Sequence, residues 1–315
     1  MRAGPSGIVR PVKRRLDPGL FLLLTPVLWG ASFPATKIVL RHVAVLPFMF
    51  WTRTLGFVTI LAWVPFARGP SATRDEVRRA LLPGAVLGAL MVVGFSLQTA
   101  GIARTTATNA GFITGLYVVL TPLLGAVAFR HTVARSAWFA VALSVVGLAL
   151  LSVADLGHVR LHAGDLLVLA GAVAWAGHIT AVGHLSPRHP ARVLALAQMG
   201  CAAVLHLVLA APGGLESGHV AAASVWPLLI VTGVLGSGVA FTIQVVAQRT
   251  LTPSRAVVLL AGEAIVSAAA SAVWIGERLG AHQWVGAGLV IAAMALSELS
   301  ARRAGAPPFE PAAVP

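Results

Sequence analysis

The sequence is poor in everything that keeps a soluble domain in water. Only 10% of its 315 residues are charged, against roughly a quarter in an average soluble domain. There are 10 acidic residues, a single tyrosine, and lysine only at Lys13 and Lys37. Cys201 is the lone cysteine, which excludes an internal disulfide and a cysteine zinc cluster. No two histidines share metal-ligand spacing with a carboxylate and no H-E-x-x-H occurs, so neither a metal nor another cofactor is expected. The G-x-x-x-x-G-K-[ST] loop of a nucleotide-driven pump is missing as well.

What remains is apolar. Hydrophobic residues make up 57% of the chain and the mean hydropathy is +0.87. A water-soluble fold of this length leaves too much surface exposed to hide that content, so the solvent is lipid. Ten stretches have the ~20-residue length of a membrane helix: 19–38, 46–66, 80–99, 106–129, 136–153, 165–184, 191–210, 225–246, 254–275 and 282–299. Pro26, Pro34 and Pro122 fall inside spans, where neighbouring groups can satisfy the freed carbonyls. The first span follows a basic stretch, Arg10 to Arg15, and reads as a signal anchor rather than a cleaved signal. The tail from Gly305 to Pro315 is expected to be disordered.

The net charge of +13 marks cytoplasmic loops rather than a nucleic-acid partner. With the N-terminus inside, 17 of the 23 Lys and Arg residues lie on the cytoplasmic side. Arg41, Arg104, Arg160 and Arg278 lie outside, and Lys37 and Arg53 within spans. Both termini are therefore expected to be cytoplasmic. The preference for Arg over Lys, with abundant Ala and Gly, points to a GC-rich bacterial genome and so to a bacterial inner membrane.

The chain is written twice. A shift of 146 residues sets Trp29 on Trp175, Phe95 on Phe241, Gln98 on Gln244, Thr106 on Thr252, Ala110 on Ala256, Trp138 on Trp284 and Leu143 on Leu289. A shift of 145 sets Arg53 on Gln198 in the second span. The expected organisation is a basic segment at 1–18, a first repeat at 19–153, an outside connection at 154–164, a second repeat at 165–300 and a tail at 301–315. The fold class is all-α integral membrane, with ten helices in two five-helix repeats. Five is odd, so the repeats lie upside down relative to each other. Inverted repeats mark secondary transporters, with the site near the midplane.

Several stretches carry a family resemblance. They are Trp29-Gly30-Ala31-Ser32-Phe33, Thr105 through Tyr117, Gly164-Asp165-Leu166 through Trp175, and Gly276-Glu277-Arg278-Leu279. In this order the chain resembles the drug/metabolite transporter superfamily, specifically proteins with two EamA-type domains, over about residues 20–300. Two positions depart from the pattern. The family's Glu-Pro reads Glu263-Ala264, so the proline kink of the ninth span is not expected here. Its acidic residue after the fourth span is replaced by Arg130-His131. The resemblance implies a secondary carrier of small metabolites working by alternating access, often an exporter. The expected partners are a small-molecule substrate, the bilayer and, as coupling ion, the proton. A homodimer is left open.

Helical spacing puts i, i+4 and i+8 on one face. Asn109, Ile113, Tyr117 and Thr121 form such a stripe, with Thr106 before it. Arg255, Leu259, Glu263 and Ser267 form its counterpart, with Thr252 before and Ser271 after. Tyr117 and Glu263 should then approach one central volume.

A mid-span carboxylate costs about 2.5–3.5 kcal/mol on insertion scales. Glu263 reads as a partner for a substrate ammonium, as a proton-coupling group, or as half of a buried pair with Arg53 or a Trp indole. Arg53 could face a substrate carboxylate, but the resemblance favours a structural role. Trp29 and Trp175 could form an aromatic floor and ceiling for a solute, or simply pack. Gln98 and Gln244 could bond substrate or hold helices together. His178 could relay protons, given an ordinary pKa of about 6.5, or make an interhelical hydrogen bond. Gly111-x-x-x-Gly115 and Ser267 through Ala272 permit close helix approach. Asp165 reads as a helix N-cap, and Glu277-Arg278 as a local cap or salt bridge.

Two competing classes make other demands on the sequence. An intramembrane protease would need G-x-S-G, and the nearest stretch is Leu235-Gly236-Ser237-Gly238. A non-transporting sensor or assembly subunit would need no common polar cavity.

Overall fold

The computed structural model describes residues 17–66, 71–129, 134–152, 163–215 and 225–303. The basic segment at 1–16, Arg68, Arg130-His131, Arg160, most of the 154–164 connection and the tail from 304 lie outside the described residues.

Among the described residues all regular structure is helical. Nine helices are long and apolar enough to span a membrane. They are α1 (Pro18–Val39), α2 (Val45–Phe66), α3 (Arg74–Ile102), α4 (Ala107–Val127), α6 (Ala163–Arg188), α7 (Ala191–Gly213), α8 (Trp226–Ala247), α9 (Pro253–Trp274) and α10 (Ala281–Ser300). A shorter apolar helix, α5 (Arg135–Leu151), completes ten. Leu82, Val127 and Val273 on the rim of the bundle are strongly exposed, as a lipid-facing surface requires, since lipid tails are as apolar as they are.

Local chemistry sets the ends. α3 begins six residues before the predicted apolar stretch. Thr73 Oγ1 accepts the Glu76 N–H at 3.2 Å and the Glu76 carboxylate accepts the Thr73 N–H at 2.7 Å, a reciprocal cap that starts a helix in polar sequence. The repeat-equivalent threonines cap α4 and α9. Thr106 Oγ1 accepts from Asn109 N at 3.0 Å, and Thr252 Oγ1 from Arg255 N at 3.3 Å. Asp165 also makes a tertiary contact. It lies inside the first turn of α6 and accepts the Thr105 hydroxyl at 2.6 Å, tying α6 to the head of α4.

α4 and α9 are both interrupted, and at equivalent places. α4 breaks at Leu116 and α9 at Ala261-Gly262. At each break the ladder tightens to i→i−3 bonds, Leu116 N to Ile113 O at 3.2 Å and Ala264 N to Ala261 O at 3.2 Å. The lack of Glu-Pro thus does not leave α9 continuous. Gly262, the poorest helix former after proline, sits where the proline would otherwise act.

The packing follows the repeat. α3 packs on α6 and α7, as α8 packs on α1 and α2. α2 packs on α7 and α5 on α10, each contact mapping onto itself when the repeats are exchanged. α1 approaches α9 closely at Gly30, where an added Cβ would fall 2.6 Å from the Glu263 carbonyl oxygen.

Candidate functional site

The four aromatics that the repeat pairs, Trp29 with Trp175 and Phe95 with Phe241, form one cluster between the halves. Trp29 meets Phe241 at a tilt with centroids 4.7 Å apart, and Phe95 meets Trp175 edge-on at 4.5 Å. These two contacts are equivalents under repeat exchange. Trp29 and Trp175 are 6.4 Å apart. The Trp29 indole Nε1–H donates to Gly236 O at 2.9 Å, whereas the Trp175 Nε1–H has no partner. Gly94 gives Trp175 its room, since an added Cβ would lie 2.9 Å from the ring.

Around this cluster are two adjoining lobes. The first is lined by all four aromatics with Ser32, Gln98, Thr114, Tyr117 and Glu263. Tyr117 and Glu263 are the first residues after the two helix breaks, and both point here from opposite repeats. The Tyr117 hydroxyl stands near the carboxylate but outside hydrogen-bond geometry. That hydroxyl and Glu263 Oε1 are both buried without a partner. Gln98 Nε2 donates to Thr114 Oγ1 at 2.8 Å.

The second lobe shares Trp29, Ser32, Phe33, Phe95 and Gln98 with the first and adds Arg53, Thr36, Met49, Thr99 and Ser237. The Arg53 guanidinium lies 3.5 Å over the Phe95 ring. It makes one hydrogen bond, from Nη2 to Thr52 Oγ1 at 3.2 Å, and its Nε and Nη1 have none. Arg53 is 3% exposed and Glu263 2%. The buried pair considered for Glu263 is not formed. Neither Arg53 nor a Trp indole supplies a partner to its Oε1.

Other sequence candidates lie elsewhere. Asn109 is half-buried and lines neither lobe. The stripe that placed it with Tyr117 assumed one continuous helix, and the break at Leu116 turns the two halves apart. Arg255 likewise leaves the Glu263 face and forms an ion pair with Glu298. Ser267 donates to Ala107 O at 3.2 Å, a contact between α9 and α4. His178 Nε2 bonds Gln198 Oε1 at 3.1 Å, bridging α6 and α7. Gln244 is fully buried with no partner on either amide atom. Glu277 is not a local cap, because it accepts the Thr108 hydroxyl from α4.

Sequence reading missed Ser32, Phe95, Thr114 and Phe241 as lining residues. The Phe95/Phe241 match was visible, but as a repeat marker only.

The bundle thus buries charged side chains around an aromatic cavity. The chain matches the EamA-like transporter family twice, over residues 18–153 and 162–299. It belongs to that family, within the drug/metabolite transporter superfamily. An "Uncharacterized transporter" of Archaeoglobus fulgidus is 29% identical over 91% of this chain and 87% of its own length. The "Uncharacterized transporter YyaM" of Bacillus subtilis is 23% identical over 52% of this chain and 54% of its own. A crystal structure sharing 18% identity superposes with a TM-score of 0.72, covering 92% of this chain and 99% of the other, which establishes a common fold. This is a multi-pass membrane protein, and its family implies a small-molecule substrate.

Proposed function

We propose that the chain is a secondary carrier that exports a small amphipathic metabolite of amino-acid type by alternating access. The observation that carries this reading is a buried basic and a buried acidic group that are not paired with each other, each with polar atoms lacking a partner. Arg53 occupies one lobe and Glu263 the other, with the aromatic cluster between them. An unpaired buried ionic group is costly, and a solute bearing a carboxylate and an ammonium would satisfy both. The aromatic faces suit its apolar body and its cation.

Protons are the proposed coupling ion, with Glu263 as the coupling group. In this reading the protein sits in a bacterial inner membrane with both termini cytoplasmic, as the Lys/Arg asymmetry supports. It performs no chemical step on its solute. The test is counterflow in proteoliposomes with a labelled amino-acid and metabolite panel. Saturable uptake of one compound, competed by its unlabelled form, is the expected result. Failure of every amino-carboxylate, with uptake of some other class, would overturn the solute assignment.

A further inference from the structure

The two repeats also differ in how one end of each is filled. Near the ends of α1 and α3 and the start of α2, Thr36, Thr99 and Met49 line the Arg53 lobe. Their repeat equivalents are Val182, Val245 and Leu194, near the ends of α6 and α8 and the start of α7. These three pack with Ala80 and Leu87 in one apolar cluster, each of the five with 0% exposure. Because five spans separate the equivalents, this cluster lies at the opposite face of the bundle.

Directly inward of it are the equivalents of the Arg53 lobe's polar groups. Gln198 corresponds to Arg53, His178 to Ser32 and Gln244 to Gln98. All three are fully buried. The His178 ring lies 5.7 Å from Phe241, one turn before Gln244. Their only mutual hydrogen bond is the one between His178 and Gln198. His178 Nδ1, Gln198 Nε2 and both amide atoms of Gln244 have no partner. A static core would recover nothing for burying four such atoms, and buried polar groups in native structures are overwhelmingly satisfied. Their repeat equivalents line a cavity.

We propose that Val182, Leu194 and Val245 form a closed gate, and that Gln198, His178 and Gln244 behind it are a second polar half-site for the solute. This rests on the carrier reading above. When the gate parts, the Arg53 lobe closes and the solute's carboxylate passes from a guanidinium to the neutral amide donors of Gln198 and Gln244, while His178 Nε2–H holds the Gln198 amide oxygen. The half-site at this face therefore holds an anionic end less tightly than the Arg53 lobe does.

The test uses the full chain with Cys201→Ala and single cysteines, labelled by a membrane-impermeant cationic methanethiosulfonate. Right-side-out and inside-out membrane vesicles are compared. Thr36→Cys should label from one face and Val182→Cys from the other. Adding Thr36→Trp, which props the Arg53 lobe open, should slow labelling of Val182→Cys several-fold. Labelling of Val182→Cys from the same face as Thr36→Cys overturns the gate. So does a Val182→Cys that is inert in both vesicle types yet reacts fully after denaturation. Counterflow with an inert Val182→Cys would leave the carrier reading standing without the gate. Sided labelling with no counterflow of any panel compound would do the reverse.

Discussion

Tyr117 and Glu263 hold the same place in two broken helices, each the first residue of the second half, and meet at one cavity from opposite repeats. A break frees backbone groups and turns the following residue out of the helix's own register. Here it delivers the bundle's one mid-span carboxylate and its only tyrosine to the aromatic cluster. Binding residues on discontinuous membrane helices are a recurring transporter arrangement.

Glu263→Gln keeps the shape and removes the titrating group. It is expected to abolish accumulation driven by an imposed pH gradient while retaining counterflow exchange. Labelled-solute uptake in vesicles with and without the gradient checks this. Full gradient-driven transport with an unchanged pH dependence would show that coupling runs through another group.

Arg53→Lys tests the stacked guanidinium. Lysine keeps the charge but loses the planar contact on Phe95 and the forked donors. A rise in KM of about tenfold for a carboxylate-bearing solute is expected, the equivalent of about 1.4 kcal/mol. Arg53→Ala should raise it further. A solute whose KM ignores both changes does not meet Arg53.

The two tryptophans should respond differently to phenylalanine. Trp29→Phe breaks the hydrogen bond to Gly236 O, while Trp175→Phe removes a donor that has no partner. Trp29→Phe is expected to cost about 1 kcal/mol more, read as the larger fall in thermal midpoint of the purified protein. Equal falls would place the two indoles in equivalent surroundings.

Gly30→Val should separate α1 from α9. The added Cβ would meet Glu263 O at 2.6 Å and the Val266 Cβ at 2.5 Å. Overpacking of this kind costs about 1–3 kcal/mol, and the shift falls at the backbone of Glu263. Loss of transport together with a lowered thermal midpoint is the expected outcome. Wild-type values of both would mean that α1 can withdraw without disturbing the site.

Much of this architecture is legible in the residues. Strong apolar contrast locates the spans, and the 146-residue shift pairs Trp29 with Trp175 and Tyr117's helix with Glu263's. Periodicity fails where the helix does. It assigns Asn109 and Arg255 to the cavity face because it counts 100° per residue through Leu116 and Ala261-Gly262, where the ladder is tighter. Phe95 and Phe241 are hidden for a different reason: an apolar ring in an apolar helix gives no contrast between lipid, core and cavity. The difference between the halves is hidden too. Thr36 against Val182 and Thr99 against Val245 are small changes in sequence, yet they separate a lobe from a packed cluster.

The bond from Trp29 to Gly236 spans 207 residues of chain. At a synthesis rate of about 5–20 residues per second, roughly 10–40 s pass between the emergence of the donor and that of its acceptor. Throughout that interval the Gly30 face of α1 has no α9 to receive it, and the indole N–H must find water, lipid headgroup or another protein. Insertion of the first five helices is thus not assembly of half a machine. It leaves an intermediate with an open seam until the second repeat arrives against it.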